Sequence, residues 1–465
     1  MKGRAHPGLG IFPKLISLTR QFAPQRTVRL TYSFSNVQSE AGIPSSEPLM
    51  KHHGSRVRKF LAKLLLIVLG FLLGAGIAEI ALRVTEYSYP EFYELDQTRG
   101  YGLRPGAEGW YRKEGRSYVR INSDGLRDQE HQLTKPANTL RIALIGDSYA
   151  EAFAVPIEQA FWSVMKEKLG ECNAASGKTI EVINFGVSGY GTAQELLTLR
   201  EKVWKYSPDV VMLAVTTNND VTDNSRALKK VEEIPYFVSR DNQLALDDSF
   251  QISRTFLWRQ SRLNRIGRWF RDHSRVVQAL TEGHHALKTI SASWRARWSQ
   301  NESKPAPTTS PDQNSNGSLN EAELGTDNLV YREPQRVVWT DAWQVTESLI
   351  REMRDEVRAR NAKFLVVTLS NGPQVLPDPN ARKQFEKRLG ISDLFYPDNR
   401  IRSLSQRENI SLISLAPELQ QFAERNRIIL HGFDKNIGNG HWNVDGNRVA
   451  GELIAKKICE GELLK

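Results

Sequence analysis

Four short blocks of this chain carry residue types suited to chemistry at a carbonyl group. The first is Gly146-Asp147-Ser148, which puts a hydroxyl at the end of an apolar run and just before a helical stretch. The second, Asn184-Phe-Gly-Val-Ser-Gly189-Tyr-Gly191, has glycines that let a backbone N–H approach a substrate oxygen closely. The third, Thr217-Asn218-Asn219-Asp220, offers a carboxamide that can donate a second hydrogen bond. The fourth, Gly440-His441-Trp442-Asn443, supplies an imidazole, the side chain best placed to move a proton near neutral pH. Gly-Asp-Ser by itself is ordinary turn chemistry. Four ordered blocks together are a stronger signal.

The elements that must position these blocks follow an α/β rhythm. Arg141–Gly146, Thr179–Asn184, Asp209–Val215, Lys363–Leu369 and Ile410–Leu415 read as buried strands. Ile157–Leu169, Ala193–Tyr206, Asp341–Arg360 and Val444 to about Cys459 read as helices. Strands alternating with helices predict a parallel sheet covered on both faces. Each block then follows a strand or precedes the last helix, so all four can meet at the C-terminal sheet edge, where ligands bind in open α/β sheets.

Taken in order, these blocks resemble the SGNH (GDSL) hydrolase family, over roughly residues 139–225 and 336–460. Arg141–Pro156 (RIALIGDSYAEAFAVP) and Gly440–Ala455 (GHWNVDGNRVAGELIA) are especially similar to exported, membrane-tethered members. The resemblance implies a flavodoxin-like three-layer α/β/α sandwich with Ser148 as nucleophile and His441 as base. It also implies Gly189, Asn219 and the Ser148 backbone N–H as oxyanion donors, with no metal or organic cofactor. The expected activity is a serine esterase working through an acyl-enzyme, on an acyl ester of a glycan or a lipid. The alternatives are an O-acyltransferase acting on an envelope or secreted glycan, and a non-catalytic glycan- or lipid-binding module.

Two positions depart from the family pattern. Thr217 stands where the third block usually begins with glycine. Gly438 stands where the family's acid precedes the histidine by three residues, and Ile437–Gly440 contains no carboxylate. Asp434 or a backbone carbonyl is left to orient His441. On a flavodoxin-like order the first and last helices cover the same face with their C-terminal ends on one rim, which predicts a Cys172–Cys459 disulfide. These are the only two cysteines, and their spacing suits no zinc site.

The formal charge of +10 at first suggests nucleic acid. Residues 1–60, however, hold ten Lys or Arg against two Glu, so the remainder is close to neutral. The tail precedes Leu64–Leu82, a 19-residue apolar run whose one charge is Glu79. That length suffices to span a membrane. Arg56, Arg58, Lys59 and Lys63 before it place the N-terminus in the cytoplasm and the rest outside. The expected organisation is a disordered basic tail (1–63, with a possible start at Met50), an anchor (64–82), an extension (83–138) and a hydrolase domain (139–462). An insertion at 225–335 interrupts the last of these. Within it, Arg254–Arg275 alternates arginines with apolar residues at helical spacing, first read as a helix packed on the domain, then as a lipid-contacting one. Ser299–Asn328 has the composition of a disordered linker. The expected partners are the ester substrate and the membrane, not nucleic acid.

Overall fold

The computed structural model describes residues 51–172, 177–240, 243–302 and 325–461. The tail over 1–49 and most of the Ser299–Asn328 linker lie outside the described residues. The chain divides into two units, one ending at Val68 and the other beginning at Leu69. Helix α1 (Lys51–Val84) opens the described chain. Its stretch Val57–Val84 is long and apolar enough to cross a membrane, and its most apolar window is wholly unburied.

The extension forms two hairpins, β1 (Tyr93–Asp96) with β2 (Gly100–Leu103), and β3 (Glu108–Tyr111) with β4 (Ser117–Arg120). Then come β5 (Thr139–Ile145), α2 (Ser148–Glu151), α3 (Phe161–Gly170), β6 (Thr179–Asn184) and α4 (Thr192–Glu201). They are followed by β7 (Val210–Thr216), α5 (Asn219–Asp223) and α6 (Arg226–Lys229). The insertion holds a hairpin, β8 (Tyr236–Arg240) with β9 (Gln243–Asp247), and three helices, α7 (Arg254–Gln260), α8 (Arg262–His273) and α9 (Arg275–Glu302). The chain resumes with α10 (Val337–Ala359), β10 (Lys363–Leu369), α11 (Pro379–Leu389) and α12 (Tyr396–Arg407). It ends with β11 (Ser411–Ser414), α13 (Ala416–Asn426) and α14 (Val444–Glu460).

Five strands pair in parallel in the order β11-β10-β7-β5-β6. Every residue of β5 and β7 is buried, as a strand covered on both faces requires. One core packs α4 and α10 against the sheet through Leu196, Leu199, Trp343, Leu349 and Met353. The opposite core packs α3, α13 and α14 through Phe161, Met165, Leu419, Val449 and Ile454. The result is the three-layer α/β/α sandwich with the flavodoxin strand order. The extension brings its own core of Phe92, Leu103, Val119 and Ile121, closed by Phe153, Val187 and Tyr190 from the sandwich.

Helices α3 and α14 lie so close that a Cβ on Gly451 would fall 2.4 Å from the Phe161 carbonyl oxygen. Their C-terminal ends are joined by the disulfide Cys172–Cys459, with Cα atoms 6.3 Å apart across 287 residues of sequence. Closing so long a loop should stabilise the fold by about 2–4 kcal/mol. A Cys172→Ser, Cys459→Ser double variant should therefore unfold at lower urea concentration in detergent. An unchanged midpoint would show that the bond constrains nothing.

Candidate active site

Ser148 begins α2 at the C-terminal end of β5, where the sheet hands the chain to a helix. Asp147 caps that helix, its Oδ1 accepting from the Tyr149 N–H at 3.0 Å. The same carboxylate accepts from Thr216 Oγ1 at 3.0 Å and from Asn219 Nδ2 at 2.8 Å. Asp147 therefore ties the first block to the third. Arg127 braces α2 from behind, its guanidinium donating to the Glu151 and Val155 carbonyls at 2.7 and 2.5 Å.

His441 Nε2 lies 2.7 Å from Ser148 Oγ. Its Nδ1 lies 2.5 Å from Glu114 Oε2, and its backbone N–H donates to Glu114 Oε1 at 2.8 Å. One carboxylate thus accepts both donors on one side of the histidine, which leaves Nε2 to accept the serine proton. Burial, the largest single influence, would lower the His441 imidazole, but the Glu114 bond and charge together with the Asp147 and Glu151 charges outweigh it and raise the ring above its ordinary value. Burial likewise works to raise Glu114, and the bonds from His441 hold it below the usual carboxylate range. Each partner favours the charged form of the other.

Glu114 sits at the tip of the β3–β4 hairpin, 327 residues before the histidine. Two glycines let it reach. Gly115 has φ +63°, and a Cβ there would fall 2.2 Å from the Ala154 carbonyl oxygen. Gly440 has φ +82°, and a Cβ there would fall 2.3 Å from Glu114 Oε1. The sequence expectation that Asp434 or a carbonyl orients the ring is corrected here. Asp434 lies exposed in a short 3-10 turn, Asp434–Asn436, while both ring nitrogens of His441 are engaged elsewhere. Asp434→Asn should accordingly change kcat by less than about twofold; a hundredfold loss in ester hydrolysis would return Asp434 to the relay. Gly438, at the usual acid position, takes φ +89° in the turn that carries the chain back toward His441.

A second histidine braces this segment without entering the chemistry. His431 is buried, and burial pushes its imidazole down to about 4. Trp442 Nε1 donates to Ser370 Oγ at 2.9 Å, and Ser370 Oγ lies 3.0 Å from His431 Nε2. His431 Nδ1 lies 2.9 Å from the Gly440 carbonyl. A neutral ring protonated at Nδ1 satisfies every bond in that chain.

Asn219 shares a cleft of about 380 Å³ with Ser148 and His441. Gly189, at φ +77°, stands in the turn whose neighbour Ser188 lines an adjoining narrow pocket, again with Ser148 and His441. The Ser188 carbonyl accepts from Tyr101 Oη at 2.9 Å. Its N–H bonds to Glu151, whose fully buried carboxyl is pushed up to about 7 by burial. Behind Asn219, Glu195 and Asp220 are completely buried. Burial, together with repulsion from neighbouring carboxylates, raises both carboxyls well above the usual range. Thr217 is not among the described residues with positive φ, which explains why a side chain is tolerated where glycine was expected. Among the described residues no group of three or more His, Cys, Asp or Glu is arranged to hold a metal.

The structure therefore brings Ser148, His441 and Asn219 to one cleft and sets Gly189 beside it. The residue that sequence reasoning missed is Glu114.

No family model matches the chain, and no curated protein matches it. Among solved structures it is similar to an acetyl xylan esterase, at 14% identity and a TM-score of 0.33 over 68% of this chain and 97% of that one. A lipolytic protein of the G-D-S-L family from Desulfitobacterium hafniense matches at 11% identity and 0.30, over 68% and 98%. An acetylxylan esterase from Geobacillus stearothermophilus matches at 11% and 0.33, over 68% and 93%. Likenesses this low carry no weight beside the geometry of the chain itself.

Proposed function

We propose that this protein is a membrane-tethered serine esterase of the SGNH type, acting outside the cytoplasm on short-chain acyl esters of a hydroxyl-rich compound such as a glycan. The observation that carries the reading is the unbroken relay from Glu114 through His441 to Ser148. In the first half-reaction Ser148 Oγ attacks the ester carbonyl carbon while His441 Nε2 takes the hydroxyl proton. The carbonyl electrons move to oxygen, which is met by the Ser148 and Gly189 N–H groups and the Asn219 carboxamide. Collapse expels the alcohol, which takes the proton from His441. Water, deprotonated by the same ring, then attacks the acyl carbon; collapse expels Ser148 Oγ, which takes the proton back from His441, and the carboxylic acid leaves.

Two features support the substrate class. The adjoining pocket is narrow and walled by Tyr111, Ala152, Phe153 and Ala154, which suits a short acyl group. The main cleft is polar, lined by Asn218, Asp327, Asn371 and Asn439 as well as Ser148 and His441, which suits a hydroxyl-rich leaving group over a lipid tail. The rival reading of a binding module that lost its acid has less support once Glu114 fills that role. The exported location rests on the basic flank before α1 and on the disulfide, since such bonds persist in oxidising compartments.

Purified full-length protein in detergent should hydrolyse p-nitrophenyl acetate far faster than the octanoate, and should release acetate from an acetylated oligosaccharide. Hydrolysis of neither, with no reaction towards a fluorophosphonate, would leave only the binding module. Acyl transfer to an added glycan in preference to water would make the protein an O-acyltransferase on the same machinery.

A further inference from the structure

Helix α8 is built the wrong way round for a helix of a soluble domain. Two polar residues of its last turn face the protein: Arg271 donates to Glu91 at 2.6 Å, and Asp272 pairs with Arg104 at 2.5 Å. Its apolar side, Leu263, Ile266, Trp269 and Phe270, faces away, with Leu263 81% exposed and the other three more than half exposed. None of its twelve residues is buried. The sequence expectation of a packed surface helix is thus met only through salt bridges and hydrogen bonds near its C-terminal end, and the apolar stripe stands largely exposed. A contiguous patch of this kind marks an interaction surface.

What covers the patch follows from where α8 ends. Glu79, the one charge in the apolar run of α1, accepts from Ser274 Oγ at 2.9 Å and from the Arg275 and Val276 N–H groups, each at 3.0 Å. It caps the N-terminus of α9, at the residue where α8 stops. Arg83 donates to Glu79 at 2.8 Å and to the His273 carbonyl at 2.9 Å, holding the last turn of α8 as well. One helical turn past Glu79 the apolar run ends. Glu79 stands three residues before the end of a 19-residue run long enough to span a hydrocarbon core about 30 Å thick, and so near its exit side. The C-terminal end of α8 is therefore pinned at the level where α1 leaves the bilayer. Arg262 and Arg265 are exposed, and their charge complements lipid phosphates.

We propose that α8 lies in the headgroup region of the leaflet from which α1 emerges, its Leu263–Ile266–Trp269–Phe270 face entering the acyl boundary and Arg262 and Arg265 meeting anionic lipid. This rests on α1 being the membrane anchor. A single spanning helix would let the catalytic domain swivel; a second, in-plane contact fixes which side of the domain faces the membrane.

The test uses full-length protein reconstituted into vesicles of phosphatidylcholine and phosphatidylglycerol. The two native cysteines are bonded to each other, so single cysteines introduced by Leu263→Cys, Phe71→Cys and Ser403→Cys can each take an environment-sensitive fluorophore. The label at 263 should be blue-shifted and strongly quenched by lipid carrying a nitroxide near the headgroup. The label at 71, within α1, should be quenched by nitroxide deep in the acyl chain, and that at 403, on the exposed side of α12, by neither. A label at 263 as wet as that at 403, with 71 still quenched, would overturn the inference and leave the anchor standing. Absence of quenching at 71 would remove the anchor and the inference together. In vesicles of phosphatidylcholine alone, quenching at 263 should weaken while that at 71 holds; equal quenching at 263 in both would overturn the role of the arginines. Ester hydrolysis by the same preparations reports separately on the catalytic reading.

Discussion

Ser148→Ala will leave the protein folded, unlabelled by a fluorophosphonate, and slower in ester hydrolysis by roughly 10⁵–10⁶-fold, the loss seen when a triad nucleophile is removed. The fold should not notice. The cap of α2 is the Asp147 side chain, not Ser148, and the serine hydroxyl makes its side-chain bond to His441 at a partly exposed position where water can replace it. A stability change under about 1 kcal/mol is expected for one such bond. The effect on rate is large because the remaining groups have nothing to activate. Without Oγ, the His441 imidazole can at best deprotonate a water, and the residual rate reflects the oxyanion donors and binding alone. Ser188 lines the same narrow pocket and is the natural competitor for the role. Labelling that survives in Ser148→Ala and vanishes in Ser188→Ala would move the nucleophile there and dissolve the relay proposed above.

Which parts of this arrangement were legible in the sequence depends on whether their cause is local. The strands β5 and β7 announce themselves as uninterrupted apolar runs because both faces are buried, and the blocks that follow them inherit their place at the sheet edge. Ser148 and Asn219 are fixed within a few residues of a strand end, so motif and position could be read together. The disulfide was legible for a related reason: strand order and crossover handedness decide which helix ends share a rim. Glu114 was not legible. It belongs to a four-residue-stranded hairpin with no sustained periodicity, and its tie to His441 exists only in three dimensions. The one trace is negative, namely that Gly438 stands three residues before the histidine, where a carboxylate would normally stand. The hairpin β8–β9 inside the insertion was missed as well, being short and only partly buried, which blurs the alternation that would have marked it. Helix α8 was recognised as amphipathic, but period alone cannot say which face meets the protein. That required the salt bridges of Arg271 and Asp272.

Glu114→Gln will lower kcat by about 10³–10⁴-fold while leaving the fold intact, and it will move the acid limb of the pH profile to lower pH. A carboxylate at this position accepts two N–H bonds at once, from His441 Nδ1 and from the His441 backbone. A carboxamide has one acceptor oxygen, so its NH₂ group must oppose one of those donors. If it opposes the ring, the imidazole turns to the tautomer protonated at Nε2, which cannot take the proton of Ser148. Loss of the negative charge also removes what stabilises the imidazolium in the transition state. Together these correspond to roughly 4–5 kcal/mol of barrier. The pH dependence follows from the sign of the His441 shift. The wild-type ring is raised by Glu114 against the opposing effect of burial, so the neutral base, and with it kcat/KM, accumulates only as pH climbs past that raised value. Once the Glu114 carboxylate is gone, burial is opposed only by the Asp147 and Glu151 charges, and the ring loses its proton at lower pH. Glu114→Asp keeps the charge but is shorter by one methylene, so it should fall between the two. A purely structural role for the hairpin tip would instead lower the melting temperature and leave the acid limb where it was. Wild-type-like kcat in Glu114→Gln would show that the contact between the hairpin and His441 does not serve catalysis.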